Sequence, residues 1–193
     1  MVLDIFVAAG VLIMLFLLND FIRSFPAMIA VGPIPSSKKG IDMALELAQI
    51  KKGEVFYDLG SGGGKVLIEA VKKYDCRGVG YELVYPMMLL AKLRAKLAGV
   101  GKKIEFRRKN LFSSDLENAD VIYCFLTPQL MEKIGEYIKH KKLKNGTRII
   151  SYAFSMKNYD AEKKIDHTKH SWNIYLYKIQ SSKIKNQNDN AKP

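Results

Sequence analysis

The chain has 193 residues, which is enough for one ordinary domain with an addition and too few for two full-sized domains. Hydrophobic residues make up 48% and charged residues 26%, which excludes wholesale disorder and a polytopic membrane protein. The 31 basic residues outnumber the 19 acidic ones, and the net charge of +12 favours anionic partners such as lipid headgroups, nucleic acid or acidic protein.

The amino-terminal segment is strongly apolar. Residues 5–18 include no polar side chain, and extension to Ile22 gives a helix long enough to span a bilayer core of ~30 Å. Basic residues follow this segment and none precedes it, so we expect a single-pass membrane anchor with the remaining domain on the cytoplasmic face, or the matrix side if mitochondrial. A secretory signal peptide and a buried core helix are alternatives. Asp4 disfavours the first, and the absence of a polar stripe disfavours the second.

The rest of the chain alternates between helical and strand patterns. An anchor at 1–24 and a proline-containing linker at 25–36 are followed by a domain at 37–180 and a polar tail at 181–193, which is expected to be disordered. The predicted helices cover 37–50, 64–74, 85–98 and 129–140. The predicted strands cover 54–59, 78–81, 103–107, 119–126, 147–154 and 172–179.

This alternation predicts an α/β fold with a mostly parallel, doubly wound sheet. The last two predicted strands leave no room for a helical crossover, so we expect an antiparallel edge there. Cys76 and Cys124 lie in apolar, strand-like runs, which predicts buried, reduced thiols. The chain has only three histidines, and we expect no metal site.

The segment Asp58–Gly64 follows the first strand of the alternating region and leads directly into a helix. In a doubly wound sheet this turn is where a nucleotide-like ligand binds, and glycines let backbone approach the ligand closely. A P-loop is disfavoured because Leu59 and Val66 replace its first glycine and its Ser or Thr. A dinucleotide fingerprint is disfavoured because Lys65 replaces its third glycine. Asp58 would repel a pyrophosphate but suits a ligand with ammonium and sulfonium charges.

The turn resembles Asp-x-Gly-x-Gly-x-Gly, the first motif of class I S-adenosylmethionine-dependent methyltransferases. Glu82 ends the second strand, where such enzymes carry a carboxylate that bonds the ribose hydroxyls. Asn110 and Leu111 follow the third strand, where a polar side chain meets adenine, although many relatives have Asp in place of Asn. The resemblance implies a Rossmann-like seven-stranded class I methyltransferase sheet with an N-terminal transmembrane helix, and S-adenosylmethionine as cofactor. The implied cofactor-binding residues here are Asp58, Gly60, Ser61, Gly62, Gly64, Glu82, Asn110 and Leu111.

Two further segments narrow the resemblance to one family of methyltransferases. Gly32–Ser36 and Phe125–Gln129, together with the apolar anchor, are similar to segments of the small membrane-anchored protein-lysine methyltransferases. That family includes mitochondrial enzymes modifying the ATP synthase c-subunit and the adenine nucleotide translocase, and small prokaryotic counterparts. The resemblance implies that Pro35 and Ser36 close over the cofactor, and that a loop beside the methyl group orients the lysine amine. The residues of this loop are Thr127, Pro128 and Gln129.

The resemblance implies methyl transfer to lysine ε-amines of a protein, which we expect to be a membrane protein near the bilayer, because tethering raises its effective concentration. The basic run between Lys92 and Lys109 is interpreted as a surface attracted to anionic headgroups. No interleaved aromatic residues accompany this run, so a nucleic-acid partner is not expected. The alternatives are methylation of a lipid or small lipophilic acceptor, a non-catalytic membrane-tethered cofactor-binding module, and RNA methylation. The oligomeric state is not predicted.

Overall fold

The computed structural model describes residues 2–31, 37–167 and 172–180. The α-helices of this part of the chain are α1 (Val2–Val31), α2 (Lys38–Ala48), α3 (Lys65–Tyr74), α4 (Tyr85–Leu97) and α5 (Pro128–Lys139). Its strands are β1 (Val55–Leu59), β2 (Arg77–Tyr81), β3 (Ile104–Arg107), β4 (Val121–Cys124), β5 (Arg148–Ala153), β6 (Lys163–His167) and β7 (Trp172–Lys178). Two short 3₁₀ turns, Gly101–Lys103 and Leu111–Ser113, flank β3.

The seven strands form one sheet in the order β3-β2-β1-β4-β5-β7-β6. The first five strands pair in parallel, and β7 lies antiparallel between β5 and β6. The mostly parallel sheet and its antiparallel edge confirm the expected architecture. Strand β6 was not predicted, because its sequence, Lys-Lys-Ile-Asp-His, has a single apolar residue and lacks an apolar face. An edge strand that pairs with one neighbour tolerates such a composition.

Side chains alternate along the central strands and build a core on each face of the sheet. Phe56 and Tyr123 point into the core beneath α2, α3 and α4, whereas Tyr57 and Ile122 point into the core beneath α5. Both cysteines lie in this interior as free thiols. Burial raises the pKa of Cys76 to about 11, so this thiol is protonated at neutral pH.

The amino-terminal helix α1 differs from the expectation at its carboxyl end. It continues through Pro26 to Val31, so the expected break at Pro26 does not occur; a proline inside a helix removes one backbone hydrogen bond without always ending the helix. The end of the expected linker, 32–36, and the tail, 181–193, lie outside the described residues.

The segment Val2–Ile22 of α1 is long and apolar enough to cross a membrane, with a mean hydropathy of 2.5. Its side chains are exposed except for Asp20. A core helix of a soluble protein would be mostly buried. The structure therefore excludes the buried-core alternative for this helix.

Candidate functional site

The glycine turn lies at the carboxyl end of β1, beside the end of β2. Gly60, Gly62 and Gly64 have φ angles of 91°, 50° and 75°, which residues with a Cβ rarely adopt. The N–H groups of Gly60 and Ser61 both donate to the carbonyl of Tyr81, at 3.0 and 2.9 Å. These bonds attach the turn to β2 directly before Glu82.

We call the edge of the sheet formed by Asp58, the glycine turn and Glu82 the rim. The Glu82 carboxylate accepts backbone hydrogen bonds from both sides of this rim. Its Oε2 accepts a hydrogen bond from the N–H of Gly62 at 2.8 Å, and its Oε1 accepts one from the N–H of Val84 at 2.7 Å. A carboxylate has about four acceptor positions, so each oxygen of the half-buried side chain can accept a further bond. This capacity fits the two hydroxyls of a ribose.

Asp58 is buried near Glu82, with 3% of its surface exposed. Burial, and then the negative charge of Glu82, raise the pKa of Asp58 to about 8. A second carboxylate near a buried acid disfavours the ionisation of that acid. The charge of Glu82 therefore acts on Asp58 at the same rim. A cationic group bound beside Asp58 would favour its ionised form.

The turn also has the room that a nucleoside ligand needs. A Cβ added to Gly62 would meet only Met87 Cε, at 4.0 Å. The Ser61 hydroxyl is buried and lies 2.8 Å from the position of a Cβ on Gly80, so it faces β2. An open backbone and two carboxylates fit S-adenosylmethionine at this rim.

Gly64 permits close packing of the turn against Ala91 and Phe106. The contribution of this packing to stability can be measured. Gly64 and Gly99 both have a φ of 75°. A Cβ on Gly64 would lie 3.0 Å from Ala91 Cβ and 3.1 Å from Phe106 Cζ, whereas a Cβ on Gly99 would meet nothing within 4 Å. We expect Gly99→Ala to cost about 1 kcal/mol through backbone strain alone, and Gly64→Ala about 2–4 kcal/mol through strain plus overpacking.

Thermal unfolding of the two variants in detergent measures this difference. The Tm of Gly64→Ala should fall several degrees further than that of Gly99→Ala. Equal shifts would show that Gly64 is required only for its φ angle.

The remaining cofactor residues predicted from the sequence are less closely tied to the turn. Asn110 is exposed and its Oδ1 accepts a bond from the N–H of Phe112 at 3.0 Å, which leaves its NH₂ group as the donor for a ligand. Leu111 is half-buried and packs on the α5 side of the sheet. Pro35 and Ser36 lie outside the described residues.

The loop after β4 presents the three predicted substrate-orienting residues at the same carboxyl edge as the glycine turn. Thr127 is half-buried at the N-cap of α5, and its side chain makes no capping hydrogen bond. Pro128 is the first residue of α5, and Pro128 and Gln129 are exposed. Because Pro128 is in an ordinary first-turn position, the Thr127 hydroxyl and Gln129 are the groups available to a substrate.

Sequence reasoning missed an aromatic cluster beside this loop. Phe125 follows β4, Tyr152 lies near the end of β5, and Trp172 begins β7. The ring centroid of Phe125 is 4.7 Å from that of Tyr152 and 5.4 Å from that of Trp172, with edge-to-face geometry. We call these three residues the aromatic wall. Aromatic residues at strand ends are the sequence feature that marks it, but their meeting depends on β7 folding back along β5.

Comparisons with known proteins identify the family of the chain. Residues 58–163 match the family described as the ANTKMT methyltransferase domain. A protein-lysine N-methyltransferase of Saccharolobus islandicus (strain REY15A) is 28% identical over 149 residues, covering 76% of this chain and 92% of that protein. The adenine nucleotide translocase lysine N-methyltransferase of Mus musculus is 27% identical over 140 residues, covering 72% of this chain and 60% of that protein.

A solved structure shares the fold over most of its length. The RNA methyltransferase from Salinibacter ruber, in complex with S-adenosyl-L-homocysteine, superposes with a TM-score of 0.73 and 32% identity. The match covers 77% of this chain and 95% of that chain. The fold, the rim and these likenesses define an S-adenosylmethionine-dependent methyltransferase. Within that class, the chain belongs to the ANTKMT methyltransferase domain family.

Proposed function

We propose that this enzyme methylates lysine ε-amines of a membrane-associated protein. The observation that carries the proposal is the match with the archaeal protein-lysine N-methyltransferase over 92% of that protein's length. The mouse relative is likewise named for lysine methylation, of a translocase. The proposed cofactor contacts are those of the rim, with Asp58 near the ammonium, Glu82 on the ribose and Asn110 on the adenine.

The chemistry at the rim suits an amine substrate. S-adenosylmethionine supplies an electrophilic methyl group on a sulfonium. A lysine amine, with an ordinary pKa of ~10.4, must lose its proton before it can attack. The two half-buried rings of the aromatic wall, Phe125 and Trp172, would provide apolar surroundings that lower the pKa of an amine, and Thr127 would provide a hydroxyl to align it.

The Thr127 hydroxyl can be tested separately from the fold. We expect Thr127→Val to lower kcat about tenfold, because valine keeps the shape but removes one orienting hydrogen bond. The affinity for S-adenosylhomocysteine should stay unchanged, since Thr127 is not among the proposed cofactor contacts. Single-turnover methyl transfer and calorimetry measure the two quantities. An equal loss in both, or no loss in kcat, would contradict the assignment.

The proposed organisation places α1 across a membrane with the catalytic domain on the cytoplasmic face. In this organisation residues 1–24 form the anchor, 25–36 the connecting segment, 37–180 the methyltransferase domain and 181–193 a polar tail. The connecting segment begins as a continuation of α1.

An ion pair between α1 and the domain supports this organisation. Asp20 is 3% exposed, and its carboxylate bonds the guanidinium of Arg108. Arg108 also lies over the Tyr85 ring, 5.0 Å from its centroid. An acidic side chain near a membrane interface is costly unless it is paired, and Arg108 supplies the pairing.

The substrate class is tested by following labelled methyl groups. Membranes are incubated with labelled S-adenosylmethionine and either the wild-type enzyme or Glu82→Ala, which is expected to bind the cofactor far more weakly. We expect label in protease-sensitive material, and methylated lysine by mass spectrometry only with the wild-type enzyme. Solvent-extractable label would instead identify a lipid acceptor. Cofactor binding without any transfer would identify a non-catalytic binding module.

RNA is a second candidate because of a basic groove and the name of the Salinibacter ruber relative. A cavity of about 440 Å³ is lined by Arg77, Lys102, Lys103 and Lys144, among others. However, this cavity extends from the amino ends of β1, β2 and β3, whereas the glycine turn lies at the carboxyl ends. We therefore prefer the lysine substrate, and nuclease-sensitive label would reverse that preference.

A further inference from the structure

Helix α4 is apolar on the side that faces away from the protein. Its inner side packs Met88, Ala91 and Ala95 into the core. Its outer side carries a row of leucines with spacings of three and four residues. These are Leu89, Leu90, Leu93 and Leu97, which are 43%, 36%, 54% and 79% exposed. A helix on the surface of a soluble domain normally has a polar outer face, and a contiguous exposed apolar patch marks an interaction site.

Basic residues border this leucine face. At 100° per residue, Lys92 and Lys96 lie along one edge of the leucine row and Arg94 lies along the other. All three are exposed. An apolar face bordered by basic side chains is the pattern of a helix that lies in the plane of a membrane surface. The long basic side chains can extend from such a helix to anionic headgroups.

The leucine face begins where α1 meets the domain. Phe16 of α1 packs edge-to-face against Tyr85, the first residue of α4, with ring centroids 6.0 Å apart. Asp20 of α1 pairs with Arg108, which also lies over the Tyr85 ring. The apolar helix α1 therefore meets α4 at its amino-terminal residue, Tyr85.

We propose that the leucine face of α4 lies in the headgroup–acyl boundary of an anionic bilayer, as a second membrane contact beside α1. The inference rests on the proposed anchoring through α1 and adds a docked orientation of the domain. A second copy of the chain is a poorer occupant, because a two-fold contact would bring the basic borders of two helices together.

This contact would hold the glycine turn close to the membrane surface. Arg94 donates a hydrogen bond to the carbonyl of Gly63 at 3.4 Å, and Leu90 Cδ2 lies 3.8 Å from the position of a Cβ on Gly63. A docked α4 thus restricts the rim to substrates whose lysines lie near the bilayer surface.

The test places an environment-sensitive fluorophore on single cysteines of the full chain in vesicles. Leu93→Cys reports on the leucine face, Leu12→Cys on α1, and Lys133→Cys, an exposed position on α5, on a surface expected to face water. Cys76 and Cys124 are buried, and the wild-type chain measures their background labelling. The vesicles contain brominated phosphatidylcholine with or without phosphatidylglycerol, and binding of S-adenosylhomocysteine verifies that each labelled protein is folded.

We expect bromolipid to quench most of the emission at positions 12 and 93 and to leave position 133 unquenched, with stronger quenching at 93 when phosphatidylglycerol is present. Quenching at 12 without quenching at 93 would overturn the proposal while leaving the anchor intact. Quenching at 93 without quenching at 12 would support the α4 contact and refute the spanning anchor. Quenching at neither position would refute both. A disulfide-linked dimer through position 93, formed on oxidation at high lipid content, would assign the face to a second copy.

Discussion

Replacing Glu82 by alanine is expected to weaken binding of S-adenosylhomocysteine about a thousandfold, because the two proposed hydrogen bonds from the ribose hydroxyls to the carboxylate, of about 1.5–3 kcal/mol each, are lost. The carboxylate accepts from the N–H of Gly62 at 2.8 Å and from that of Val84 at 2.7 Å. Without it, both N–H groups lose their partner and the glycine turn loses its connection to the end of β2. The expected ribose contact disappears with the same side chain.

Two variants separate this effect from a general loss of charge. Glu82→Gln keeps one acceptor oxygen, so its affinity should lie between those of the wild type and Glu82→Ala. Glu136→Ala removes an exposed carboxylate on α5 and should bind like the wild type. Isothermal titration calorimetry measures all three affinities. Wild-type affinity in Glu82→Ala would show that the ligand does not bind at this rim.

The rim was predictable because its elements are local in the sequence. An apolar strand, a glycine turn and a helix start follow one another from Val55 to Lys65, and the α/β alternation places Glu82 beside that turn. Each of these patterns depends on neighbouring residues only. The structure adds the hydrogen bonds that the backbone N–H groups of Gly62 and Val84 donate to Glu82, which the residue types alone do not specify.

The features that sequence reasoning missed depend on contacts between distant residues. The aromatic wall needs β7 to lie between β5 and β6, and the strand that completes this hairpin, β6, has a charged composition. The pairing of Asp20 with Arg108 joins residues 88 positions apart. Nothing local in the sequence identifies Arg108 as the partner of Asp20.

The sequence alone does not show that the leucine face of α4 is exposed, because the opposite face of this helix is apolar as well. Leucines on one side and Met88, Ala91 and Ala95 on the other make the helix apolar on opposite faces, so its periodicity predicts a helix without saying which face is inside. Packing on the sheet decides the question, because the small Ala91 and Ala95 allow close approach and the leucines remain outside. The lysines of the basic run between Lys92 and Lys109 are exposed, and the attraction of this run to anionic headgroups stays a prediction.

The affinity for S-adenosylhomocysteine is expected to rise about tenfold per pH unit between about pH 6 and about pH 8, and then to level off. Burial and the charge of Glu82 raise the pKa of Asp58 to about 8 in the free protein, so below that pH the carboxyl is protonated. The ammonium group of the ligand favours the ionised carboxylate, so binding releases a proton and is opposed by low pH. Near pH 8 the gain stops, because Asp58 is then already ionised before the ligand binds.

Asp58→Asn identifies the source of this pH dependence. Asparagine approximates the shape of the protonated carboxyl but cannot ionise, so the variant should bind weakly and without the rise between about pH 6 and about pH 8. Calorimetry in two buffers of different ionisation enthalpy counts the released protons directly, close to one for the wild type near pH 7 and close to none for the variant. A wild-type slope in Asp58→Asn would assign the proton to another group, and a wild-type affinity that does not change with pH would show that Asp58 does not meet the ammonium.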